Sequence, residues 1–362
     1  MNVRLIFVAV AFGTLCGSVV AQSDSDFSII HRRISDIYSE NSGGVFRLMA
    51  AHTTYDEKGE LQNTQRSGTG CFISREGHIL ANADVVLNSD RTWFHYKGVN
   101  YSSELIGVEP SSGLALLKAN NLPENFTFFL LEANQALPEV GSMAVMISCA
   151  WEFAPSPSLT MVAGAETSFA QRKFVTTHLR INKVILAGEA GAPLIDLNGR
   201  FLGIQIAATP PNVSAGFVLP ARAILRIRDD LLFAGKFISG WIGIEIGVRS
   251  TIRDGRQIYL TGIMPDSPSQ NGGLKTNDVL VRIGDFPIQT ISDVTNAMFF
   301  ARAGQFLDVQ VFRDGVLQDF TVKVVEPPED QSNSSEPAEV TNPAEEPASG
   351  LGSEENDEEK PS

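Results

Sequence analysis

The hydrophobic pattern changes twice along the chain, and its longest stretch is typical of β-strands. From Val45 to about Pro220, apolar residues fall in short or alternating runs separated by turn residues, such as VFRLMAA, SMAVMISCA and APLIDLNGRFLGIQIAA. Short strands at this spacing favour a barrel or sandwich over alternating strands and helices. The stretch is long for one small barrel and suits two. The sequence therefore predicts a mainly β fold with a two-barrel first domain.

Helical periods lie on both sides of this stretch. In DFSIIHRRISDIYSENSGG the apolar residues recur at helical intervals, among them Ile30, Ile34 and Ile37, and the pattern stops at Gly43. ARAILRIRDDLLFAG has the same period and stops at Gly235. We expect this second helix to close the first domain, over residues 22–236, and to lead into another domain.

A second domain of mixed strands and helix is predicted over residues 237–326. One clear helix is expected from an N-cap at Ser292 through DVTNAMFFARAG to Gly304. The segment that follows, residues 327–362, has eleven acidic residues and one base, Lys360. It has no aromatic residue and little to bury, so the sequence predicts a disordered acidic tail.

The tail explains most of the net charge of −14, and the folded part is only mildly acidic. No basic stripe suggests nucleic acid as a partner. Residues 1–21 carry Arg4 and then an apolar run that ends in small residues before Gln22. This pattern predicts a cleaved signal peptide, with an uncleaved N-terminal anchor as the alternative. The expected location is therefore the periplasm or the extracellular medium, with no stable membrane span after cleavage.

The cysteines are too few to form a framework of disulfide bonds. After removal of the signal peptide, Cys71 and Cys149 remain, and neither has a second Cys or His at metal-ligand spacing. Both lie in apolar runs, so buried free thiols are expected. No metal site and no cofactor are predicted from these residues.

Three ordered segments resemble the HtrA/Deg family of chymotrypsin-like serine proteases. RSGTGCFISREGHILANADVV resembles the segment that delivers the catalytic histidine, VEPSSGLALLKA resembles the strand with the aspartate, and GEAGAPLIDLNG resembles the nucleophile loop. The resemblance places the histidine at Asp84, the aspartate at Gly113 and the serine at Ala190. It also implies a vestigial oxyanion loop at Gly188, Glu189 and Ala190. Acyl transfer needs a nucleophile, a base and a group that orients the base, so the resemblance predicts an inactive protease domain.

Other residues do not replace this chemistry in the sequence. His78 occupies a different place and is expected to be a strand or turn residue, and Ser111 and Ser112 are expected to cap or turn the backbone. Asp84 and Glu189 could face one cleft and bind a cation. The alternative is that both are solvated side chains, since two oxygens make a poor metal site.

The second domain resembles the PDZ domain of the same family. TGIMPDSPSQNGGLKTNDVLVRIGDFPIQ keeps the family's pattern, and Asn277 stands at a glycine position that needs a positive φ. The resemblance implies that the loop Gly240, Trp241, Ile242 and Gly243 takes a peptide carboxylate. Val294 and Met298 would line the opposite wall on the helix. The alternative is that Trp241 and Met298 only pack the core.

These observations favour a non-catalytic envelope protein that binds peptides, protein C-termini or unfolded protein segments through its PDZ domain. Regulation or scaffolding of an active protease is the role expected for such a protein. The alternative is a serine-type endopeptidase of the HtrA class that acts in protein quality control. The resemblance also implies trimers formed through N-terminal aromatic residues, and Phe27 and Tyr38 lie in the matching region. Either a homotrimer or a mixed trimer with an active relative is expected.

Overall fold

The computed structural model of the protein describes most of the chain and leaves out both ends. The predicted signal peptide, residues 1–21, and the predicted acidic tail from residue 329 onward lie outside the described residues. The described residues are 27–55, 59–133, 135–151, 153–169, 172–208, 215–251 and 255–328.

Helix α1, residues 27–41, precedes a closed barrel of six strands in the order β1-β2-β3-β6-β5-β4. Every strand pairs antiparallel with its neighbours, and β1 closes the barrel by pairing with both β2 and β4. A short helix, α2 (Ala83–Val86), follows β3. The strands are β1 (Val45–Tyr55), β2 (Leu61–Phe72), β3 (His78–Asn82), β4 (Arg91–Tyr96), β5 (Val99–Glu109) and β6 (Leu114–Ala119).

Six further strands form a second closed barrel, in the order β10-β11-β12-β9-β8-β7. The predicted two-barrel, mainly β domain is therefore confirmed. The strands are β7 (Met143–Ser148), β8 (Ser156–Phe169), β9 (Arg172–Ile181), β10 (Pro193–Asp196), β11 (Phe201–Ala208) and β12 (Gly216–Pro220).

Both predicted helices that flank the barrels are present. Helix α3 (Ala221–Ala234) follows the second barrel and ends at Gly235, which has φ +70°. Glycine has no Cβ to oppose this left-handed conformation, so it stops the helix as expected. The apolar face of α1 packs on the core between the barrels, and Tyr38 donates its hydroxyl hydrogen to Pro155 O at 2.8 Å.

The second domain is a six-stranded sheet with two helices, in which five strands lie in one order and the short strand β16 pairs with β15 off this path. The sheet order is β13-β14-β15-β17-β18. The elements are β13 (Ile244–Thr251), β14 (Gly255–Ile263), α4 (Pro268–Asn271), β15 (Val279–Ile283), β16 (Phe286–Pro287), α5 (Ile291–Phe300), β17 (Phe306–Arg313) and β18 (Val316–Lys323).

The predicted limits of the helix in this domain were wrong. Helix α5 begins after Thr290, not after Ser292, and ends at Phe300, before Gly304. Thr290 accepts a hydrogen bond from Asp293 N, and the Asp293 carboxylate accepts one from Thr290 N at 2.7 Å. This capping box satisfies two free amides, which Ser292 cannot do from inside the first turn.

Each domain has its own apolar core. Phe46, Phe72 and Phe94 fill the first barrel, with ring centroids 4.5–5.5 Å apart. A separate cluster fills the sheet and helix of the second domain. The core between the barrels also takes in Phe299 of α5, so the two domains share packing.

Candidate functional site

Two places in this fold could act on another molecule: the cleft between the barrels and the groove beside α5. Loop 182–191 lies in the cleft, between β9 and β10. Gly188 and Gly191 have φ values of +87° and +92°, where L side chains are strained. A Cβ on Gly188 would lie 2.6 Å from Cys149 O, and one on Gly191 would collide with Thr69 O. Glycine is therefore required at both turns of this loop.

Thr69 of the first barrel holds the loop in place. Its amide donates to Ala190 O at 2.8 Å, and its hydroxyl donates to Gly188 O at 2.7 Å. The same hydroxyl accepts from Cys149 N at 2.9 Å. One threonine thus joins loop 182–191 to β2 and to the end of β7. No local pattern marks this residue, since it is one of several polar residues in a strand.

The three positions at which the resemblance places the catalytic residues, 84, 113 and 190, lie at the junction of the barrels. Asp84 lies exposed in the first turn of α2, and Gly113 O accepts a hydrogen bond from Ala83 N at 2.8 Å. A Cβ on Gly68 would lie 2.8 Å from both Ala190 O and the side chain of Val85, next to Asp84. The groups presented are a carboxylate at 84, a hydrogen at 113 and a methyl at 190.

Glu189 is neither a cation ligand nor a solvated side chain, the two interpretations that its sequence position allowed. Its side chain is 3% exposed and lies in an ion pair with Lys183, with 2.6 Å between Nζ and Oε2. The carboxylate also accepts from Ser148 Oγ at 2.9 Å and from Leu186 N at 2.8 Å. The expectation of a solvated Glu189 was wrong, because the carboxylate is buried and bonded to three donors.

The cation site suggested for Asp84 and Glu189 is also not supported by this geometry. Glu189 is directed at Lys183, which already neutralises it, while Asp84 is exposed. Within the described ranges, no group of three His, Cys, Asp or Glu residues is arranged to hold a metal ion. The predicted pairing of the two carboxylates in one cleft is therefore corrected.

Other polar residues near the cleft have structural partners. His78 is the first residue of β3, and its Nδ1 lies 2.8 Å from Ser74 Oγ. Burial lowers the pKa of His78, so its neutral form is favoured. The amides of Ser111 and Ser112 donate to the Glu109 carboxylate, which confirms their role in a turn.

His52 was missed in the sequence, although it lies beside the cleft. It is 4% exposed on β1, and its Nε2 lies 3.0 Å from Val85 O. The ring therefore bonds the backbone of α2, next to Asp84. Its position depends on the pairing of β1 with the rest of the barrel, which the local sequence does not reveal.

Neither of the two cysteines in the described residues, Cys71 and Cys149, presents a reactive thiolate. Both thiols are buried and free, as predicted. Burial raises the pKa of Cys149 to about 12, and burial also raises the pKa of Cys71. A thiol with a raised pKa stays protonated at neutral pH and is a poor nucleophile.

The second candidate site is the groove between β13 and α5. Strand β13 pairs only with β14 within the described part of the sheet, so its other edge is open. A cavity of about 940 Å³ lies along this edge. All six predicted peptide-binding residues line it: Gly240, Trp241, Ile242, Gly243, Val294 and Met298.

The backbone of residues 240–243, called here the carboxylate loop, has two kinds of amide. Gly240 N donates to Met298 O at 3.3 Å and Trp241 N to Val325 O at 2.9 Å, so these two amides are engaged. Ile242 and Gly243 are fixed by their carbonyls, which accept from Ser269 N and Met264 N, each at 3.0 Å. Among the described residues, the amides of Ile242 and Gly243 have no backbone acceptor. They are the donors that a ligand could use.

Helix α5 forms one wall of the groove and also touches the barrels. Asn296 Oδ1 accepts from Thr176 Oγ1 at 2.6 Å and from Thr177 N at 3.1 Å. The rings of Phe299 and Phe237 lie 4.9 Å apart, centroid to centroid. The helix is therefore held on one face by β9 and by residues 235–239, called here the linker, and forms the groove with another face. The sequence did not predict this docking.

The fold and these two sites define a trypsin-like domain followed by a PDZ domain. The family of trypsin-like peptidase domains matches residues 68–204, and the PDZ domain family matches residues 240–324. Together they support the resemblance to HtrA/DegP proteins.

Curated relatives carry the corresponding names. The probable periplasmic serine endoprotease DegP-like of Chlamydia trachomatis is 22% identical over 74% of this chain and 56% of its own length. The protein of that name from Bartonella henselae is 26% identical, over 73% and 54%. The periplasmic serine endoprotease DegP of Escherichia coli is 22% identical, over 76% and 60%. The chain thus spans somewhat more than half the length of these relatives.

Solved structures show the same fold. The HtrA-type protease AlgW with a decapeptide has a TM-score of 0.64 at 20% identity and covers 82% of this chain and 99% of its own. The serine endoprotease from Yersinia pestis has a TM-score of 0.56 at 18% identity, over 82% and 98%. No helix in the described ranges has the length and apolar character needed to cross a bilayer.

Proposed function

We propose that this protein is a non-catalytic HtrA-like protein of the cell envelope that binds polypeptide C-termini in its PDZ groove. The observation that carries the proposal is the contrast in available chemistry. The groove has an open strand edge and two amides without backbone acceptors, whereas the cleft presents a methyl group at Ala190. The envelope location is supported by the predicted signal peptide and by the periplasmic relatives.

The absence of proteolysis follows from the groups in the cleft. A methyl group cannot attack a peptide carbonyl, and loss of the nucleophile alone costs about a million-fold in rate. Ser148 does not substitute for it, since its hydroxyl donates to the buried Glu189 carboxylate and not to a base that could activate it.

Peptide binding follows from the groove. An extended chain adds to the edge of β13, and its terminal carboxylate accepts hydrogen bonds from the amides of Ile242 and Gly243. Alternate side chains of the peptide point into the groove, between Ile244 on the strand and Val294 and Met298 on the helix. The ligand is therefore a free C-terminus with apolar residues at its last and third-last positions.

The terminal carboxylate gives a direct test of this proposal. A fluorescein-labelled decapeptide that ends Val-Gly-Phe is titrated with the full protein, either as the free acid or as the C-terminal amide, and anisotropy is measured. The free acid is expected to bind at least about tenfold more tightly, because the amide cannot accept charge-assisted hydrogen bonds. Equal affinity of the two forms would contradict the assignment of the carboxylate loop.

The second candidate function is a serine endopeptidase, which is what the relatives are named. A serine-reactive fluorophosphonate probe and unfolded casein separate the two functions. We expect no specific labelling and no cleavage. Specific labelling together with casein cleavage would support the endopeptidase and remove the non-catalytic proposal.

A trimeric assembly is a further part of this proposal. Phe27 is 78% exposed at the start of α1, where an apolar ring is available to another subunit. Tyr38 is half-buried against its own chain, which makes it the weaker candidate. Analytical ultracentrifugation of Phe27→Ser is expected to show dissociation to the mass of a single chain. An unchanged trimer mass would assign the contact to other residues.

A further inference from the structure

The cavity beside α5 extends beyond the PDZ domain. Its wall includes Glu109 and Ser111 from the end of β5 and the turn that follows, and Lys236 from the linker. These residues belong to the barrels or to the segment that leaves them. A ligand in the groove therefore lies next to both domains.

Several contacts hold the domains in this arrangement. Besides the Asn296 hydrogen bonds to β9, Arg302 of the PDZ domain pairs with Asp229 of α3 at 3.2 Å. Arg226, a buried residue of α3, donates to Ile238 O at 2.9 Å and to Ala301 O at 3.3 Å. These bonds join α3 to the linker and to the end of α5. The linker is thus fixed at both domains.

The segment between the domains connects the strand that precedes Ser111 with the carboxylate loop. A Cβ on Gly240 would lie 2.8 Å from Ala301 Cβ, so the carboxylate loop meets the C-terminal end of α5. A Cβ on Gly107 of β5 would lie 3.2 Å from Gly235 O, so β5 meets the linker just before Lys236. The chain between Gly235 and Gly240 therefore joins β5 to the carboxylate loop.

Hydrogen bonds to a carboxylate fix the turn after β5. The Glu109 carboxylate accepts from Ser111 N at 3.2 Å and from Ser112 N at 2.5 Å, which closes the turn. Ser111 itself is half-buried and is one of the residues that line the cavity. Lys236 is exposed and is the cation among the cavity residues that the structure describes. The lining also carries two acids, Glu326 and Glu109, and the Glu109 carboxylate is held by the two serine amides. The ammonium group of Lys236 is therefore the charged group of this lining that can attract a terminal carboxylate.

We propose that the trypsin-like domain supplies part of the peptide-binding wall, through Ser111, and that Lys236 of the linker attracts the ligand's carboxylate. This inference rests on the proposed function, since it assumes that the groove binds C-termini. The partner is a polypeptide C-terminus whose last residues contact both domains. Specificity is then set partly by a turn of the barrel and not by the PDZ domain alone.

Bulk at Ser111 tests this wall in the full protein. Ser111→Trp is expected to weaken binding of the free-acid decapeptide by about tenfold or more, because an indole at this position fills space that the ligand needs. The matched control is Ser102→Trp, at an exposed position of β5 outside the cavity. It should change the affinity by less than about twofold, within the range of surface substitutions. Thermal unfolding of both variants confirms that they fold.

The variant Lys236→Met tests how much the lysine charge contributes to the affinity. It should weaken the free-acid peptide by several-fold and leave the amidated peptide unchanged, because only the acid carries the charge. A decapeptide with a photoreactive benzoylphenylalanine at its last position supplies a readout that needs no variant. Mass spectrometry should find its cross-links both in residues 240–244 and in residues 109–111.

The outcomes separate the two proposals. If the wild-type protein does not bind the peptide, the proposed function itself is wrong. If it binds, but Ser111→Trp equals Ser102→Trp and all cross-links stay within the PDZ domain, the composite wall is overturned while the PDZ function stands.

Discussion

Loop 182–191 and the carboxylate loop have similar backbones, but only the carboxylate loop is proposed to bind a ligand. Both are built on glycines with positive φ, Gly188 and Gly191 in one and Gly243 in the other. In the first loop, the Glu189 amide bonds Leu186 O at 3.1 Å and its carboxylate is buried on Lys183. In the second, the carbonyls are bonded and two amides are left for a ligand. The first loop also leaves two amides, those of Gly188 and Ala190, without a backbone acceptor among the described residues. The contrast therefore lies in what stands beside the amides: a methyl group at Ala190 in the first loop, and the open edge of β13 in the second.

The strongest way to break this contrast is to remove the ion pair of the first loop. Lys183→Met leaves a buried carboxylate without its cation, so the free energy of unfolding should fall by about 3–5 kcal/mol. Urea denaturation followed by tryptophan fluorescence measures this loss. The affinity for the decapeptide, measured below the transition, should not change.

A paired substitution controls for the loss of the lysine itself. In Lys183→Met with Glu189→Leu, no unpaired charge remains, so most of the stability should return. A single variant as stable as the wild type would show that the ion pair does not hold loop 182–191.

The second loop is tested at the opposite wall of its groove. Met298→Asp places a carboxylate beside the apolar side chains and the terminal carboxylate of the ligand, so the affinity should fall by about 2 kcal/mol or more. Anisotropy with the free-acid decapeptide measures it. Met161→Asp, at an exposed position of β8, is the matched control and should bind as the wild type does.

A smaller effect is expected where α5 joins the barrels. Asn296→Ala leaves the hydroxyl of Thr176 and the amide of Thr177 without their acceptor, which costs about 1–3 kcal/mol. Differential scanning calorimetry should show a lower unfolding temperature. Thr295→Ala, one residue away on the exposed side of the helix, should be close to neutral. An equal loss from both would mean that the contact with β9 contributes little.

Restoring the three family residues should have the smallest effect of all. In Asp84→His, Gly113→Asp and Ala190→Ser combined, the side chain added at position 113 meets φ +77° and a Cβ that lies 3.3 Å from Ile206 Cβ. This conformation and contact displace the group that orients the base, so casein cleavage should stay at the background rate. Measurable turnover would show that the cleft keeps its catalytic geometry and only its side chains changed.

Local sequence predicted the fold better than it predicted the cleft. The strand runs, the stop at Gly235 and the positive φ of Asn277, which is +75°, are all consequences of short-range pattern or of one residue's conformational freedom. The Lys183–Glu189 pair was missed because the charges look like separate surface residues until the loop folds back. Thr69 and Asn296 act across more than a hundred residues, and no local pattern marks such contacts.

The central claim is that the protein binds polypeptide ends without cutting polypeptides. Release of acid-soluble fragments from unfolded casein, measured with the decapeptide at saturating concentration, is its sharpest test. We expect fragment release equal to that in buffer alone. Release above that level that a fluorophosphonate abolishes would refute the claim and identify a working serine nucleophile.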